Sequence, residues 1–372
     1  MKNIIIFGAQ AIALGTYRVI KKIYSERDIL CFLVSKRGIN ASKLGGIVVE
    51  EIDSFSASLS SSEKEAAEVW IATPEPVMPE IEVLLEEHGF CNHKRVTSRV
   101  FAELMEAYFA DSERVVSLYS LPVSVLQERV DEVPENACDA VQVFMAKFYR
   151  DKQLTGIYHI PEWVTPIQVG AALCVERVAE ILDCEGENIS QKNVNYSELT
   201  ALYWIWKNRL EKTVDDDVKY YGLAHYRRML DVSEEDIARL LENDVDAVLP
   251  YPMPYEPNIH AHHERYLKEA DWKALLQAME EVQPEYAKAF PEVLEQEYMC
   301  NYNIVLAKKE VLRDYCRWLF PILERAEELS VPKGCDRADR YIGYMGETLT
   351  TLYFMVNREK LKIVHTGCRF FI

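Results

Sequence analysis

NISQKNVNYSELTALYWIWKN, residues 188–208, and YYGLAHYRRM, residues 220–229, are the two runs that decide the fold class of this chain. The first run predicts a helix with Asn195 as its N-cap and Glu198 three residues later, in the arrangement of a capping box. Because apolar and aromatic residues cover nearly every side of that helix, we expect it to be buried. The second run contains an apolar segment, Val218–Ala224, which predicts a buried strand. A buried helix that leads into a buried strand indicates an α/β domain.

The polar end of this strand is the first candidate site. The apolar segment is followed directly by His225, Tyr226, Arg227 and Arg228. Open α/β sheets bind ligands at the carboxyl ends of their strands, and guanidinium groups bind phosphate through parallel charged hydrogen bonds. A basic run of this kind stands out in a chain with a formal charge of −18. We expect these four residues to bind a phosphate-bearing substrate; the alternative is a strand that simply runs into a solvated loop.

The two runs, with several others, resemble the signature of a bacterial family catalogued as a domain of unknown function. The other matching runs are TPIQVG at 165–170, YNIVLAK at 302–308 and RYIGYMGETL at 340–349. They occur in the family's order and extend from about Asp139 to the C-terminus. Members of this family occur in capsule, exopolysaccharide and O-antigen gene clusters and are regarded as glycosyltransferases.

The resemblance implies a GT-A-like α/β domain that transfers a hexose. Its implied partners are a nucleotide diphosphate sugar as donor and a glycan or lipid-linked molecule as acceptor. Two other functions stay open at this point: a nucleotide-sugar oxidoreductase, and a non-catalytic module of a polysaccharide assembly complex.

Composition narrows the class of protein. The 372 residues suffice for two domains, and the strongly acidic balance argues against a nucleic-acid binder. The chain has neither an apolar run of membrane-spanning length nor a secretory signal, and its nine cysteines form no CxxC motif. We therefore expect a cytoplasmic protein that reaches the membrane peripherally, through a lipid-borne acceptor or a partner.

Residues 1–110 predict a Rossmann-like accessory domain with a parallel sheet, followed by a linker at 111–136 and by the GT-A-like domain at 137–372. The predicted strands of the first domain alternate with helical patterns. Its first turn departs from the dinucleotide-binding fingerprint, because Gln10 stands where the second glycine would approach a pyrophosphate. Lys36 and Arg37 replace the acid that would hold an NAD ribose. The turn therefore disfavours NAD as a cofactor.

Three further residues of the second domain are candidates for substrate binding. Lys147 lies just beyond a predicted opening strand, where it would face a nucleotide. Lys192 and Asn193 directly precede the buried helix and suit a polyhydroxylated ligand. For each of them a structural role, as a surface lysine or in loop hydrogen bonding, is the alternative.

The sequence does not decide whether a divalent metal ion takes part in the transfer, although we expect no firmly bound cofactor. Asp215–Asp217 and Asp244-Val-Asp246 have the Asp-x-Asp spacing that holds Mg²⁺ or Mn²⁺, but both precede strands instead of following them. His262 and His263 belong to a histidine-rich loop at 260–263, which we expect to bind the acceptor and not a zinc ion. Metal-independent transfer is the preferred reading.

The segment 336–350 predicts a helix with one polar stripe. Asp339, Arg340, Gly343 and Glu347 share that stripe with Asp336, opposite an apolar face. Inverting sugar transfer needs a carboxylate that deprotonates the acceptor hydroxyl. We expect Asp339 or Glu347 to be that base and Arg340 to clamp the diphosphate; a solvated face is the alternative.

Overall fold

The computed structural model describes residues 3–123, 137–156, 158–212 and 217–371. Two features discussed above fall wholly or partly outside this range: Asp215 and Asp216 of the first Asp-x-Asp, and most of the predicted linker. The described chain forms two units, one from residues 3–112 and Tyr251–Pro257, the other from the described parts of Glu113–Pro250 and Asn258–Phe371. Both units are mixed α/β structures with largely parallel sheets.

The first unit contains a sheet of order β3-β4-β2-β1-β5-β6, in which every pair is parallel except β3–β4. Its strands are β1 (Ile4–Phe7), β2 (Ile29–Val34), β3 (Lys43–Leu44), β4 (Ile47–Glu51), β5 (Glu68–Ile71) and β6 (His93–Arg95). Its helices are α1 (Ala11–Ile23), α2 (Ile52–Ala57), α3 (Ser61–Ala66), α4 (Met78–Glu87) and α5 (Ser98–Phe109).

Both faces of this sheet are covered, as expected for a parallel sheet. Along β1, Ile4 and Ile6 belong to one apolar cluster, whereas Ile5 and Phe7 belong to another. Gly8 follows β1 with φ +129°, and a Cβ there would lie 2.5 Å from the Ala72 carbonyl oxygen. Gly8 therefore serves the close approach of two strand ends within the protein.

The second unit is built on a sheet of order β16-β12-β15-β10-β7-β8-β9, in which β15 is antiparallel to both neighbours and the remaining pairs are parallel. The strands from Val141 onward are β7 (Val141–Lys147), β8 (Val164–Gln168), β9 (Ile181–Leu182), β10 (Tyr220–His225), β11 (Arg228–Leu230), β12 (Ala247–Pro250), β13 (Met253–Pro254, in the first unit), β14 (Tyr298–Met299), β15 (Val305–Lys308), β16 (Ile363–Thr366) and β17 (Cys368–Phe370).

The strand order reverses beside β7. The chain runs from β7 outward to β8 and β9, and then returns to place β10 on the other side of β7. The carboxyl ends of β7 and β10 therefore flank a topological switch point, which is the place where open α/β sheets bind ligands.

The helices of the second unit differ from the prediction at three places. They are α6 (Asn193–Tyr196), α7 (Leu199–Ile205), a π-helical turn (Trp206–Leu210), α8 (Glu234–Glu242), α9 (Ile259–His263), α10 (Glu269–Val282), α11 (Pro284–Ala287), α12 (Phe290–Glu295), α13 (Lys309–Leu329) and α14 (Tyr341–Asn357). The predicted capping box is wrong, because Asn195 lies inside α6 and its amide donates to the carbonyl oxygens of Gly334 and Arg337.

The other two differences concern the segment 336–350 and the histidine-rich segment. The helix begins at Tyr341 and not near Asp336, because Gly334–Asp336 forms a 3-10 turn and Arg337 is extended. Asp339 and Arg340 consequently precede the helix, and only Gly343 and Glu347 of the predicted stripe lie on it. The predicted histidine-rich loop is the short helix α9. None of the helices in the described parts of the chain has the length and apolar character needed to span a bilayer.

Candidate functional site

The switch point brings together residues from two distant parts of the sequence. Strands β7 and β10 pair in parallel with His225 opposite Ala146, and the Tyr226 amide donates to the Ala146 carbonyl oxygen at 3.0 Å. Lys147 is the last residue of β7. Lys147 and the run His225–Arg228 therefore lie at one edge of the sheet, as expected for residues that follow parallel strands.

A tight hairpin shapes this edge. His225 pairs with Arg228 across β10 and β11, so Tyr226 and Arg227 form the two-residue turn between the strands. Arg227 lies with Lys147 and Arg340 within electrostatic reach of Asp151, whose carboxylate accepts from the Phe148 amide at 2.7 Å. Burial raises the pKa of Asp151, although the three cations favour its charged form. The hairpin tip is therefore part of a basic cluster around one half-buried acid.

The two arginines of the hairpin lack acidic partners. Among the described residues, neither guanidinium has a carboxylate oxygen within 4.0 Å, and the buried Nε of each has no hydrogen-bond partner. The Arg228 guanidinium lies 4.0 Å from the Tyr302 ring centroid and 5.0 Å from that of Phe370, which positions it by cation–π contact. A buried donor without a partner is costly, so these N–H groups would be stabilised by donating hydrogen bonds to an anionic ligand.

A second cluster, which sequence reasoning missed, is centred on Glu198. This carboxylate is 8% exposed. Its Oε1 accepts from the Asn303 amide at 2.7 Å and lies 3.9 Å from His225 Nε2, while Oε2 lies 3.9 Å from Arg340 Nη2. The Arg340 Nε donates to Ser197 Oγ at 2.8 Å. Glu198 therefore links the hairpin, the start of α14 and the segment before β15.

Glu347 belongs to this second cluster. Burial raises its pKa to about 8, the negative charge of Glu198 adds to that rise, and the charges of Arg228 and Arg340 oppose it. Burial also lowers the pKa of His225, which lies near the charges of Glu198, Arg228 and Arg340 as well. At neutral pH the site therefore contains a carboxyl that is largely protonated and a histidine that is largely neutral.

Four residues around these clusters have left-handed backbone conformations although none of them is glycine. They are Ser197 (φ 50°), Tyr302 (φ 75°), Asn303 (φ 51°) and Arg340 (φ 63°). Each such conformation costs on the order of 1–3 kcal/mol and persists where the surroundings enforce it, which is frequent at functional sites. The hydrogen bonds of Ser197 to Arg340 and of Asn303 to Glu198 supply that enforcement here.

Several predicted site residues lie in other contacts. The Asp339 carboxylate accepts from Arg337 at 2.7 Å, and Arg337 is also bound to the buried Asp271. The Lys192 Nζ lies 2.6 Å from a Glu327 carboxylate oxygen. The buried Asn193 amide donates to the Ser197 carbonyl oxygen at 2.8 Å. Each of these three side chains thus has a partner that stabilises the unit.

The predicted histidines are largely buried and neutral. Burial lowers the pKa of His262 to about 4 and that of His263 to about 3. His263 is 1% exposed, and its Nδ1 lies 3.3 Å from Thr348 Oγ1 on α14. His263 therefore supports the packing of α9 against α14, and its contact with the acceptor stays a prediction.

The described acidic groups do not form a metal cage. Within residues 3–123, 137–156, 158–212 and 217–371, no three His, Cys, Asp or Glu side chains are grouped as metal ligands. Asp244 and Asp246, the described Asp-x-Asp, both bind the Lys308 ammonium, at 2.6 and 2.8 Å. That pairing does not fit a role as metal ligands.

The chain belongs to the family described as a domain of unknown function, DUF4422, which matches residues 152–358, more than half of its length. Among solved structures it is similar to the WbbM bifunctional glycosyltransferase in its apo form, with 26% identity and a TM-score of 0.53. This similarity covers 62% of the chain and 45% of the WbbM structure. The chain therefore matches less than half of the length of WbbM.

A second solved structure, core-mannan synthase A (CmsA/Ktr4) from Aspergillus fumigatus in its Mn/GDP form, aligns with 98% of the chain and 72% of its own length. Its 9% identity and TM-score of 0.22 are too low to support an argument. No curated protein matches the chain significantly.

The residues that sequence reasoning missed are those that act through the tertiary structure. Asp151 lies outside the matching runs, Tyr302 and Asn303 were noted only as part of the run YNIVLAK, and Glu198 was interpreted as a capping residue. The sequence signals for Glu198 were its place in the run at 188–208 and its charge beside a helix that is otherwise buried.

Proposed function

We propose that this chain is a glycosyltransferase that transfers a sugar from a nucleotide diphosphate sugar to a glycan or lipid-linked acceptor. The observation that carries the proposal is the basic cluster of Lys147, Arg227 and Arg340, with the neighbouring Arg228, at the switch point of the second sheet of a strongly acidic chain. The similarity to a glycosyltransferase over 62% of the chain supports it. The proposed setting is capsule, exopolysaccharide or O-antigen synthesis, by a cytoplasmic protein peripheral to the membrane.

In this proposal the basic cluster binds the diphosphate. Charge grows on the phosphate oxygen as the bond to the sugar breaks, and cations that are already in place stabilise that charge without reorganisation. Arg227 and Arg228 have N–H groups available, and Arg340 is held in position by Ser197. The positive side chains supply the stabilisation that a divalent ion provides in other transferases, and no step here is assigned to a metal.

The proposed base is Glu347. Its carboxylate accepts the proton of the acceptor hydroxyl, the hydroxyl oxygen bonds to the anomeric carbon, and the electron pair of the broken bond leaves with the nucleoside diphosphate. Because the pKa of Glu347 is raised to about 8, the carboxylate needed for this step increases in population as the pH rises through 8. Asp339 is the weaker candidate, because Arg337 already binds its carboxylate.

The first unit is proposed to be a Rossmann-like accessory domain without hydride-transfer activity, beside a GT-A-like transferase domain. In support of this, Gly8 approaches the Ala72 carbonyl oxygen, and the Gln10 side-chain amide lies in hydrogen-bond contact with the Asn40 side chain. The turn after β1 is thus engaged by protein groups where a dinucleotide would bind.

A thermal-shift panel tests the proposal on the full chain. A ligand that binds only the folded state raises the melting temperature, by an amount that grows with its concentration over its Kd. We expect UDP, GDP or CMP and one of the corresponding sugar nucleotides to raise it, and NAD to leave it unchanged. Sugar transfer from that donor to a bacterial glycolipid extract then tests the reaction. If NAD alone gives a shift, the oxidoreductase alternative replaces this proposal.

A further inference from the structure

Two tyrosines form an aromatic platform beside the second cluster. The rings of Tyr266 and Tyr344 stack with their centroids 4.4 Å apart and their planes 18° from parallel. Tyr266 remains 43% exposed although it is a large aromatic side chain. The edge of the pair is extended by the His262 ring, whose centroid lies 5.9 Å from that of Tyr266. Part of the Tyr266 side chain is thus accessible to a ligand from solvent.

The protein holds this platform firmly. The amides of Tyr266 and Leu267 both donate to the His263 carbonyl oxygen at 2.8 Å, and the Leu267 side chain is buried. His263 in turn contacts Thr348 on α14. Because the segment between α9 and α10 is fixed at these points, a ligand that stacks on Tyr266 orders little additional chain when it binds.

The position of Tyr344 relates the platform to the proposed chemistry. Tyr344 precedes Glu347 by three residues on α14, so these two side chains lie on one face of the helix, which begins directly after Arg340. Tyr344 feels the charges of Arg340, Glu347 and Glu198, which places its phenol within electrostatic reach of all three. The platform therefore lies on the side of Arg340 that contains the proposed base.

We propose that Tyr266 and Tyr344 bind the pyranose ring of the acceptor saccharide, a proposal that rests on the glycosyltransferase function. One face of a pyranose ring is lined by C–H groups and is apolar, whereas its rim bears hydroxyls. A rigid aromatic surface buries that face at little cost in side-chain entropy, and Glu347 can meet the hydroxyl rim. A sugar that stacks here presents a hydroxyl toward the proposed base.

The same platform could stack a nucleobase, and the two ligands are separated by experiment. The full chain is titrated by ligand-observed NMR with the methyl pyranosides of glucose, galactose, mannose and rhamnose. Sorbitol, which lacks a rigid apolar face, is the matched non-ring polyol, and uridine and guanosine are the nucleoside arms. The proteins are wild type, Tyr266→Ala, Tyr266→Phe and, as a control on an exposed tyrosine of the first unit, Tyr24→Ala.

We expect at least one methyl pyranoside to bind the wild-type protein, and sorbitol not to bind. Tyr266→Ala should weaken that binding about five- to tenfold, since an aromatic contact of this kind is worth on the order of 1 kcal/mol, while Tyr266→Phe and Tyr24→Ala leave it unchanged. The proposal is overturned if no pyranoside binds, if Tyr266→Ala binds as well as wild type, or if only a nucleoside depends on Tyr266. UDP and GDP titrations of the same samples report separately on the donor site, so a failure of the donor proposal is distinguished from a failure of this one.

Discussion

Replacing Glu347 with Gln should abolish one component of the pH dependence of stability. The carboxyl lies among Glu198, Arg228, Arg340 and the backbone of Tyr302, and burial is the largest cause of its raised pKa. Between its ordinary pKa of 4.5 and its folded value of about 8, the folded state retains a proton that the unfolded state has released. The free energy of unfolding therefore decreases as the pH rises through this interval.

The expected size follows from proton linkage. One extra proton in the folded state lowers the free energy of unfolding by ~1.4 kcal/mol for each pH unit within the interval. From pH 5.5 to pH 7.5 this amounts to ~2–3 kcal/mol for wild type. The Gln side chain is neutral throughout and close in shape, so the Glu347→Gln variant lacks this contribution and becomes more stable relative to wild type as the pH rises.

Urea unfolding followed by tryptophan fluorescence measures the effect. Five of the six tryptophans belong to the second unit, so the signal reports mainly on the unit that contains Glu347: Trp163, Trp204, Trp206, Trp272 and Trp318. Glu359→Gln is the control, because that side chain is 86% exposed and should not alter the slope with pH. Parallel stability profiles for wild type and Glu347→Gln would refute the raised pKa and the charge arrangement behind it.

Two further outcomes concern catalysis by the same cluster. Glu347→Gln should lower turnover by about a hundred- to ten-thousand-fold while donor affinity is retained. Asp339→Asn should stay within about threefold of wild-type turnover, because Arg337 already binds that carboxylate. Steady-state kinetics with parallel calorimetry measures both effects, and near wild-type turnover by Glu347→Gln would exclude Glu347 as the base. Glu198→Gln should move the acidic limb of the pH–rate profile to lower pH, because it removes an anion that holds the proton on Glu347; a limb at the wild-type position would contradict that coupling.

Much of the architecture could be predicted, because the local spacing of apolar residues indicates most of the strands and helices. The strand β10 (Tyr220–His225) overlaps the predicted strand Val218–Ala224, and strands alternate with helices along the first unit as the sequence predicts. Long apolar runs between polar boundaries have few alternatives once their length is known. The mixed α/β class with parallel sheets is therefore confirmed for the described chain.

The failures occurred where a long-range contact overrides a local pattern. Asn195 has the sequence context of an N-cap, yet its amide binds carbonyl oxygens more than a hundred residues away. The stripe that begins at Asp336 has helical spacing, but the left-handed conformation of Arg340 precedes the helix and separates Asp339 from Glu347. Neither the hydrogen bonds of Asn195 nor the left-handed conformation of Arg340 can be recognised from the ten residues around it in the sequence.

The candidate site likewise contains some residues that could be predicted from the sequence and others that could not. Lys147 and His225–Arg228 were predictable, because the end of each strand can be identified from sequence and parallel strands end at one edge. Glu198 and Asn303 were not, because their roles depend on a hydrogen bond between residues that lie 105 positions apart. The residues that shape Glu347's proton affinity come from three separate segments, and only the tertiary structure brings them together.

The most direct test of the central claim, that a nucleotide sugar binds at the switch point of the second sheet, is calorimetric titration of Arg227→Ala. The donor is the UDP or GDP sugar that stabilises the wild-type chain. Loss of charged hydrogen bonds should cost about 1.5–3 kcal/mol, which weakens binding roughly ten- to 150-fold. Arg317→Ala, which removes an arginine bound to Glu211, is the control and should bind like wild type. A folded Arg227→Ala protein with wild-type donor affinity would contradict the claim.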